Sequence, residues 1–287
     1  MPRVRTVSGD VDVDEIGITL IHEHPYMVEF ETQLAELKTF RQQGGSCVVD
    51  QTSTIERNPS LLKRLADESG LHVVASTGFY REESHPEGLR RSETDAIAEI
   101  MVREIEDHVE GGDFRAGLIG EIGVTEYGTT PQEMKVLRAS ARAQKATGVP
   151  LSIHTMGGAE ALFVIGLLQE EGVDPARVII DHIDLDHVEH LRLVADKGVY
   201  LGFDTIGKER YRDDGLRLEV LCAMVGEGHE DQIVISYDIS KPDYLRANGG
   251  HGYEYLLGEF VARMREKLSE TIIQKLLITN PRRVLAF

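Results

Sequence analysis

The chain has 287 residues, 41% of them hydrophobic and 28% charged, with 31 Lys+Arg against 49 Asp+Glu for a formal net charge of −18. That acidic balance excludes a protein built to grip polyanions, because nucleic-acid phosphates and anionic membrane surfaces both call for a basic face, and the apolar share suffices for a core, which excludes intrinsic disorder. The opening MPRVRTVSGDVDVDEIG lacks the apolar core of a signal peptide, and the two cysteines, Cys47 and Cys222, sit in apolar stretches, so the expectation is a cytoplasmic protein with two reduced, buried thiols.

Along the chain, short β-branched or apolar runs alternate with longer segments of helical period. The runs are ITLIH, SCVVDQ, HVVAST, AGLIGEIG, VPLSIH, RVIIDH, GVYLGFD and QIVISYD. Between them lie patterns such as residues 92–110, where Ile97, Met101, Ile105 and Val109 form one apolar stripe opposite an acidic face, and further helical stretches are expected at about 253–268 and just before NPRRVL. Eight strands, each followed by a helix, predict an α/β fold of the (β/α)8 TIM-barrel type, with residues 1–287 as one domain. A doubly wound open sheet uses the same alternation, but IHEHPYM stands after the first run where a dinucleotide fold needs a glycine-rich turn.

In such a barrel the C-terminal ends of the strands converge on one mouth. Here those ends collect metal-ligand types: His22 and His24 on the first strand, Glu121 in the fourth, His154 on the fifth, His182 on the sixth and Asp238 on the eighth. Side-chain alternation puts His22 and His24 on one side of the strand and Glu23 on the other. A lone His-x-His is weak evidence, but histidines and acids at several strand ends are costly to bury without partners. Six ligands exceed one tetrahedral zinc with an open position and suit two ions: His22, His24 and Asp238 on one, His154 and His182 on the other, Glu121 and a hydroxide shared. Imidazole and carboxylate without thiolate accept Zn, Mn, Co or Fe, with Zn the expected ion.

The order of these ligands, together with GITLIHEH, VVDQTS, VVASTGFY, GLIGEIG, SIHT, IIDHID, FDTIGK, ISYDI, ANGGHGYEYL and NPRRVL, resembles the phosphotriesterase family of the amidohydrolase superfamily, and most of all its phosphotriesterase homology branch. Better-known members bridge their metals with a carboxylated lysine; AGLIGEIGVTE holds no lysine, and Glu121 takes that place as in the homology branch. The resemblance implies hydrolysis by a metal-bridging hydroxide, with Asp238 as ligand and proton acceptor. The implied substrate is a small molecule, a lactone or carboxylic ester, with an N-acyl amide or a phosphotriester as alternatives. A barrel that binds metal or ligand without turnover is the rival from another class, and a mononuclear deaminase, which lacks a bridging carboxylate, is a third reading. Arg246, Tyr80 and Lys208 are the candidate substrate contacts, Arg246 in a glycine-hinged loop, KPDYLRANGGHGYEY, that suits a lid. A homodimer is the expected assembly.

Other motifs fail on inspection. GFDTIGK ends in Glu209 where a phosphate-binding loop needs Ser or Thr, and no G-x-S-x-G elbow supplies a serine nucleophile. His187 and His190 fall at a helix start, His72 lies toward the stability face, His85 is a weak candidate in the loop after the third run, and Glu126 follows a Gly turn on the solvent side.

Overall fold

The computed structural model describes residues 2–25, 29–126 and 128–287. The chain enters through an antiparallel hairpin that the sequence reading missed, β1 (Arg3–Thr6) and β2 (Gly9–Asp12), paired Val4 to Val11 and Arg5 to Asp10. Eight strands follow, each paired in parallel with the next: β3 (Ile18–Glu23), β4 (Gly45–Asp50), β5 (His72–Thr77), β6 (Leu118–Gly123), β7 (Leu151–His154), β8 (Val178–Asp181), β9 (Tyr200–Phe203) and β10 (Ile233–Ile235). Each lies within one of the eight apolar runs or overlaps it.

The helices wrap this sheet: α1 (Phe30–Gln42), α2 (Pro59–Ser69), α3 (Glu87–Arg91), α4 (Thr94–Glu106), α5 (Pro131–Thr147), α6 (Gly158–Glu170), α7 (Val188–Ala195) and α8 (Asp214–Gly226). Their limits follow local chemistry. In α2 the Asn58 side chain accepts from the Leu61 N–H at 3.1 Å, Pro59 fills the first turn, and Gly70 closes the helix at φ +71°. The stretch expected at 253–268 is a π-helical turn, Leu256–Phe260, running into α9 (Val261–Arg265). It is followed by α10 (Glu270–Gln274), a second π turn at Lys275–Thr279 and α11 (Asn280–Leu285), so NPRRVL is itself helical.

Alternation along the strands divides the core. Ile119, Ile122, Ile153, Ile180 and Leu201 pack outward with the helices, whereas Ile21, Cys47, Val49, Val74, Leu118, Ile179 and Val234 fill the interior. Val4 of the hairpin and Val284 and Leu285 of α11 join the interior cluster and close its N-terminal end. There Arg3 and Phe287 exchange backbone hydrogen bonds. The Cys47 thiol is free, and burial pushes it up to about 12; Cys222 is free and partly exposed.

β3 and β10 are the ends of the sheet order, and the (β/α)8 barrel is shut between them by bonds outside the regular ladders. The Asp238 N–H donates to the His22 carbonyl at 3.1 Å, and the Ser236 hydroxyl accepts the His22 N–H at 3.1 Å and lies 3.0 Å from its carbonyl. Among the described residues no helix is long and apolar enough to cross a membrane.

Candidate metal centre

The C-terminal ends of the strands bring His22, His24, Glu121, His154, His182 and Asp238 to one place, all of them buried. A register shift between Leu20 and Glu23 turns His22 toward the axis after Ile21 and leaves Glu23 on the seam with β10. Glu121 follows Gly120, whose φ is +154° and where a Cβ would lie 2.9 Å from Ser152, so the strand approaches β7 too closely for any side chain. His182 and Asp238 have φ of +58° and +50° and are the non-glycine residues with positive φ among the described ones.

The ligating atoms face inward. His22 Nε2 and His24 Nε2 are 3.3 Å apart, and Asp238 Oδ1 is 3.2 Å from His24 Nε2 and 3.9 Å from His22 Nε2. On the other side His154 Nδ1 is 2.5 Å from Glu121 Oε1 and 3.0 Å from His182 Nε2, which itself lies 3.1 Å from the same carboxylate oxygen. Glu121 also spans toward the first group, its Oε1 3.8 Å from His22 Nε2 and its Oε2 3.9 Å from His24 Nε2. One carboxylate thus faces both sets, as a bridge would.

Beneath them a buried acid pair sets the imidazole tautomers. Asp204 Oδ1 accepts from the His182 N–H at 2.9 Å and from Nδ1 at 2.8 Å, while His22 Nδ1 faces Asp204 Oδ2 at 3.2 Å and Asp181 Oδ1 at 3.4 Å in ion-pair geometry. Asp204 thus favours a proton on Nδ1 of His182, the acid pair favours one on Nδ1 of His22, and in both rings Nε2 is the nitrogen turned into the centre, available to a cation that displaces its proton. Burial opposes a proton on His22, but Asp181 and Glu121 outweigh it; for His182 Asp204 does the same, and both imidazoles are raised well above their ordinary value. At His154 burial prevails and lowers it. Burial likewise resists ionisation of Glu121 and Asp238, yet His154 and His22 hold the first well below the ordinary range and Lys208 holds the second there. Nitrogens of four imidazoles and oxygens of two carboxylates converge in a centre that draws positive charge, a donor set that fits a pair of divalent cations.

Sequence reasoning missed the supports. Asp181 also accepts from the Ser152 hydroxyl at 2.7 Å, and Ser152 receives the Gln51 amide at 2.9 Å. Glu23 accepts from Ser236 and from two backbone amides beside Asp238; burial pushes its carboxyl up to about 7 against those three donors. The motifs IIDHID and FDTIGK contain Asp181 and Asp204, and their place at strand ends was the available signal.

Above the centre the mouth opens in two lobes of about 360 and 310 Å³ that share Tyr80, His154, His182, Asp238, Ser240 and Lys241. The Tyr80 hydroxyl is 3.2 Å from His154 Nε2, and the Lys208 ammonium pairs with Asp238 Oδ2 while lying 4.6 Å from the Tyr244 ring centroid. Arg81 donates to His154 Nε2 at 2.6 Å, and buried His85 contacts the Tyr80 carbonyl at 2.7 Å. His187 and His190 are exposed. Arg246 is a correction: it pairs with Glu254, is 66% exposed at its side chain and lines a separate groove against α1. Its loop is pinned there, since Glu36 accepts the Arg246 N–H at 2.7 Å and the Tyr253 N–H at 3.2 Å. A larger groove of about 520 Å³, at the hairpin end, holds no convergent group of ligating side chains.

The loop read as GFDTIGK is held from below by a fully buried Arg217, which bonds Asp184 at 3.0 Å, Asp214 at 2.6 Å and the Lys208 carbonyl at 3.0 Å. It is a structural turn that carries Lys208 to Asp238.

Residues 2–285 match the phosphotriesterase family model. The chain is similar to the phosphotriesterase homology protein of Escherichia coli strain K12, at 34% identity over 93% of this chain and 97% of that one. It is also similar to the human N-acetyltaurine hydrolase, at 32% identity over 99% and 98%. Among solved structures, that Escherichia coli protein complexed with phosphate in its active site superposes with a TM-score of 0.92 over 95% of this chain and 99% of the other. A lactonase from Listeria monocytogenes superposes with a TM-score of 0.93 at 28% identity, covering 99% and 98%.

Proposed function

This chain belongs to the phosphotriesterase family, and from that premise we propose a binuclear metal-dependent hydrolase that opens a lactone or cleaves a carboxylic ester of a small molecule. The observation that carries the reading is the inward convergence of His22, His24, His154, His182, Glu121 and Asp238 at the barrel mouth, with Glu121 facing both sets. The chemistry that two divalent cations supply when bound is a hydroxide at neutral pH and polarisation of the scissile carbonyl oxygen.

The chain's own groups supply the rest. Asp238 accepts the proton lost by the nucleophile and passes it toward the leaving group, and its pairing with Lys208 keeps the carboxylate ionised and orients it at the centre. Burial, and Glu121 beside it, raise the Tyr80 phenol, which therefore stays protonated and stands at the cavity wall as a hydrogen-bond donor for the substrate's carbonyl oxygen. Asp181 and Asp204 hold the two imidazoles in register during turnover. Arg81 and Lys241 line the second lobe together with the Lys208–Asp238 pair and one further acid, Glu126, and these cations favour substrates carrying an acidic group remote from the scissile bond.

A second reading, hydrolysis of an N-acyl amide, is favoured by the human N-acetyltaurine hydrolase, which this chain matches over 99% of its length. The test loads the purified chain with Zn²⁺ or Mn²⁺, measures metal content, and assays lactones, aryl esters, N-acyl amino sulfonates and a phosphotriester. Turnover of lactones or esters with about two ions per chain is expected. Turnover of N-acyl compounds alone selects the second reading, and fewer than about one ion per chain after loading overturns the binuclear centre.

A further inference from the structure

We propose that Glu23, the residue between the two histidines of β3, is the positioning residue that aims Asp238 into the metal centre. The side chain is fully buried and turned away from the centre, toward the seam between the first and last barrel strands. Its Oε1 accepts from the Ser236 hydroxyl at 2.7 Å and from the Tyr237 N–H at 3.0 Å, and its Oε2 accepts from the Ile239 N–H at 2.7 Å. The amide in between, that of Asp238, donates to the His22 carbonyl at 3.1 Å. Three consecutive N–H groups, 237 to 239, are thus fixed to residues 22 and 23.

Asp238 needs such a clasp. Its φ of +50° places an L residue in a conformation with few intrinsic supports, and β10 ends at Ile235, so no ladder bond to β3 holds the turn. A carboxylate suits the task because it offers acceptors on both oxygens to three convergent donors. Glutamine keeps the shape but presents an NH2 group to one of those donors. The same residue therefore ties together the His22/His24 pair and the Asp238 that completes their ligand set.

The inference rests on the reading of Asp238 as ligand and proton acceptor, and the experiment separates the two. Wild type, Glu23→Gln and Glu23→Asp are titrated with Co²⁺ alone, following uptake by metal analysis and by the visible absorption of bound cobalt; kcat and KM are then measured on the best substrate. For Glu23→Gln we expect one site of wild-type affinity, a second weakened about 10- to 100-fold, and a kcat reduced by a similar factor with KM nearly unchanged. Glu23→Asp should recover part of both. Ser236→Ala, which removes one of the three donors together with the Ser236 contacts to His22, should shift cobalt affinity the same way, and Glu23→Asp serves as the readout where Glu23→Gln fails to fold. Lower thermal stability with two wild-type cobalt sites and unchanged kcat would show a merely structural role and overturn the proposal. Failure of the wild-type chain to take up Co²⁺ overturns the metal reading and this inference together.

Discussion

Asp204 illustrates how one side chain can govern two others. Its Oδ1 accepts from both the backbone N–H and the Nδ1 of His182, a residue held at φ +58°, while its Oδ2 faces His22 Nδ1. A left-handed L residue costs about 1 kcal/mol, so His182 stays in place because these bonds over-determine it. Asp204→Asn removes the negative charge that fixes both tautomers. Zn²⁺ affinity, measured by competition with a chelating dye, should fall about 10- to 100-fold, with most of the kcat recovered at saturating metal. Affinity equal to wild type would remove Asp204 from this role. The six inward-facing residues were legible because histidines and acids at the ends of apolar runs are rare and costly. Asp181, Asp204 and Glu23 were not, because a carboxylate is common in a chain with 49 Asp+Glu and its role depends on the neighbouring strand it meets.

At the scale of elements, α5 is anchored by a carboxylate that serves three segments. Glu133 makes the capping box with Thr130 and also accepts from the Thr125 N–H at 3.0 Å, the Thr125 hydroxyl at 2.6 Å and the Glu82 N–H at 3.2 Å. It thereby joins the loops after β5 and β6 to the start of the helix. Burial opposes ionisation of Glu133, but these donors prevail and lower it below its ordinary value of 4.5. A depressed carboxylate contributes stability that is fully present above the unfolded value and lost as pH falls through the folded one. Wild type should therefore lose stability on acidification below about pH 4.5, and Glu133→Gln should be about 1 kcal/mol less stable at pH 7 with a shallower acid decline, by denaturant melts across pH. Parallel acid profiles would refute it. The strands of the barrel were readable from their apolar runs, whereas β1 and β2 were not. RVRT and GDVD carry charges at alternate positions, and their burial comes from β5 and from the far end of the chain, through Val7 N–H to Val73 and the exchange between Arg3 and Phe287.

Across the whole molecule the net charge of −18 is unevenly felt. Much of the acid lies on helix faces, while the mouth sets Arg81, Lys208 and Lys241 against Glu56, Glu83 and Glu126 around the centre. Cations held by the folded centre and not by the unfolded chain would link metal binding to global stability. Chelation followed by Zn²⁺ addition at 100-fold above Kd should stabilise the fold by about 2.7 kcal/mol and raise Tm by about 5 °C in calorimetry. An unchanged Tm would show that the centre does not bind Zn²⁺ in the folded state.

The packed interior has a kinetic corollary. Ile21, Val49, Val74, Leu118, Ile179 and Val234 stopper the barrel below the acid pair, hairpin and α11 cover its base, and the centre opens at the C-terminal mouth. Substrate and product of the proposed hydrolysis would share that mouth. On the proposed ester or lactone chemistry, the carboxylic acid formed at the centre would depart past Arg81, Lys208 and Lys241 of the second lobe, the same groups that would welcome an acidic substrate. In that case the product would compete with its own precursor, and turnover would answer to how fast the chamber empties as well as to how fast the bond breaks.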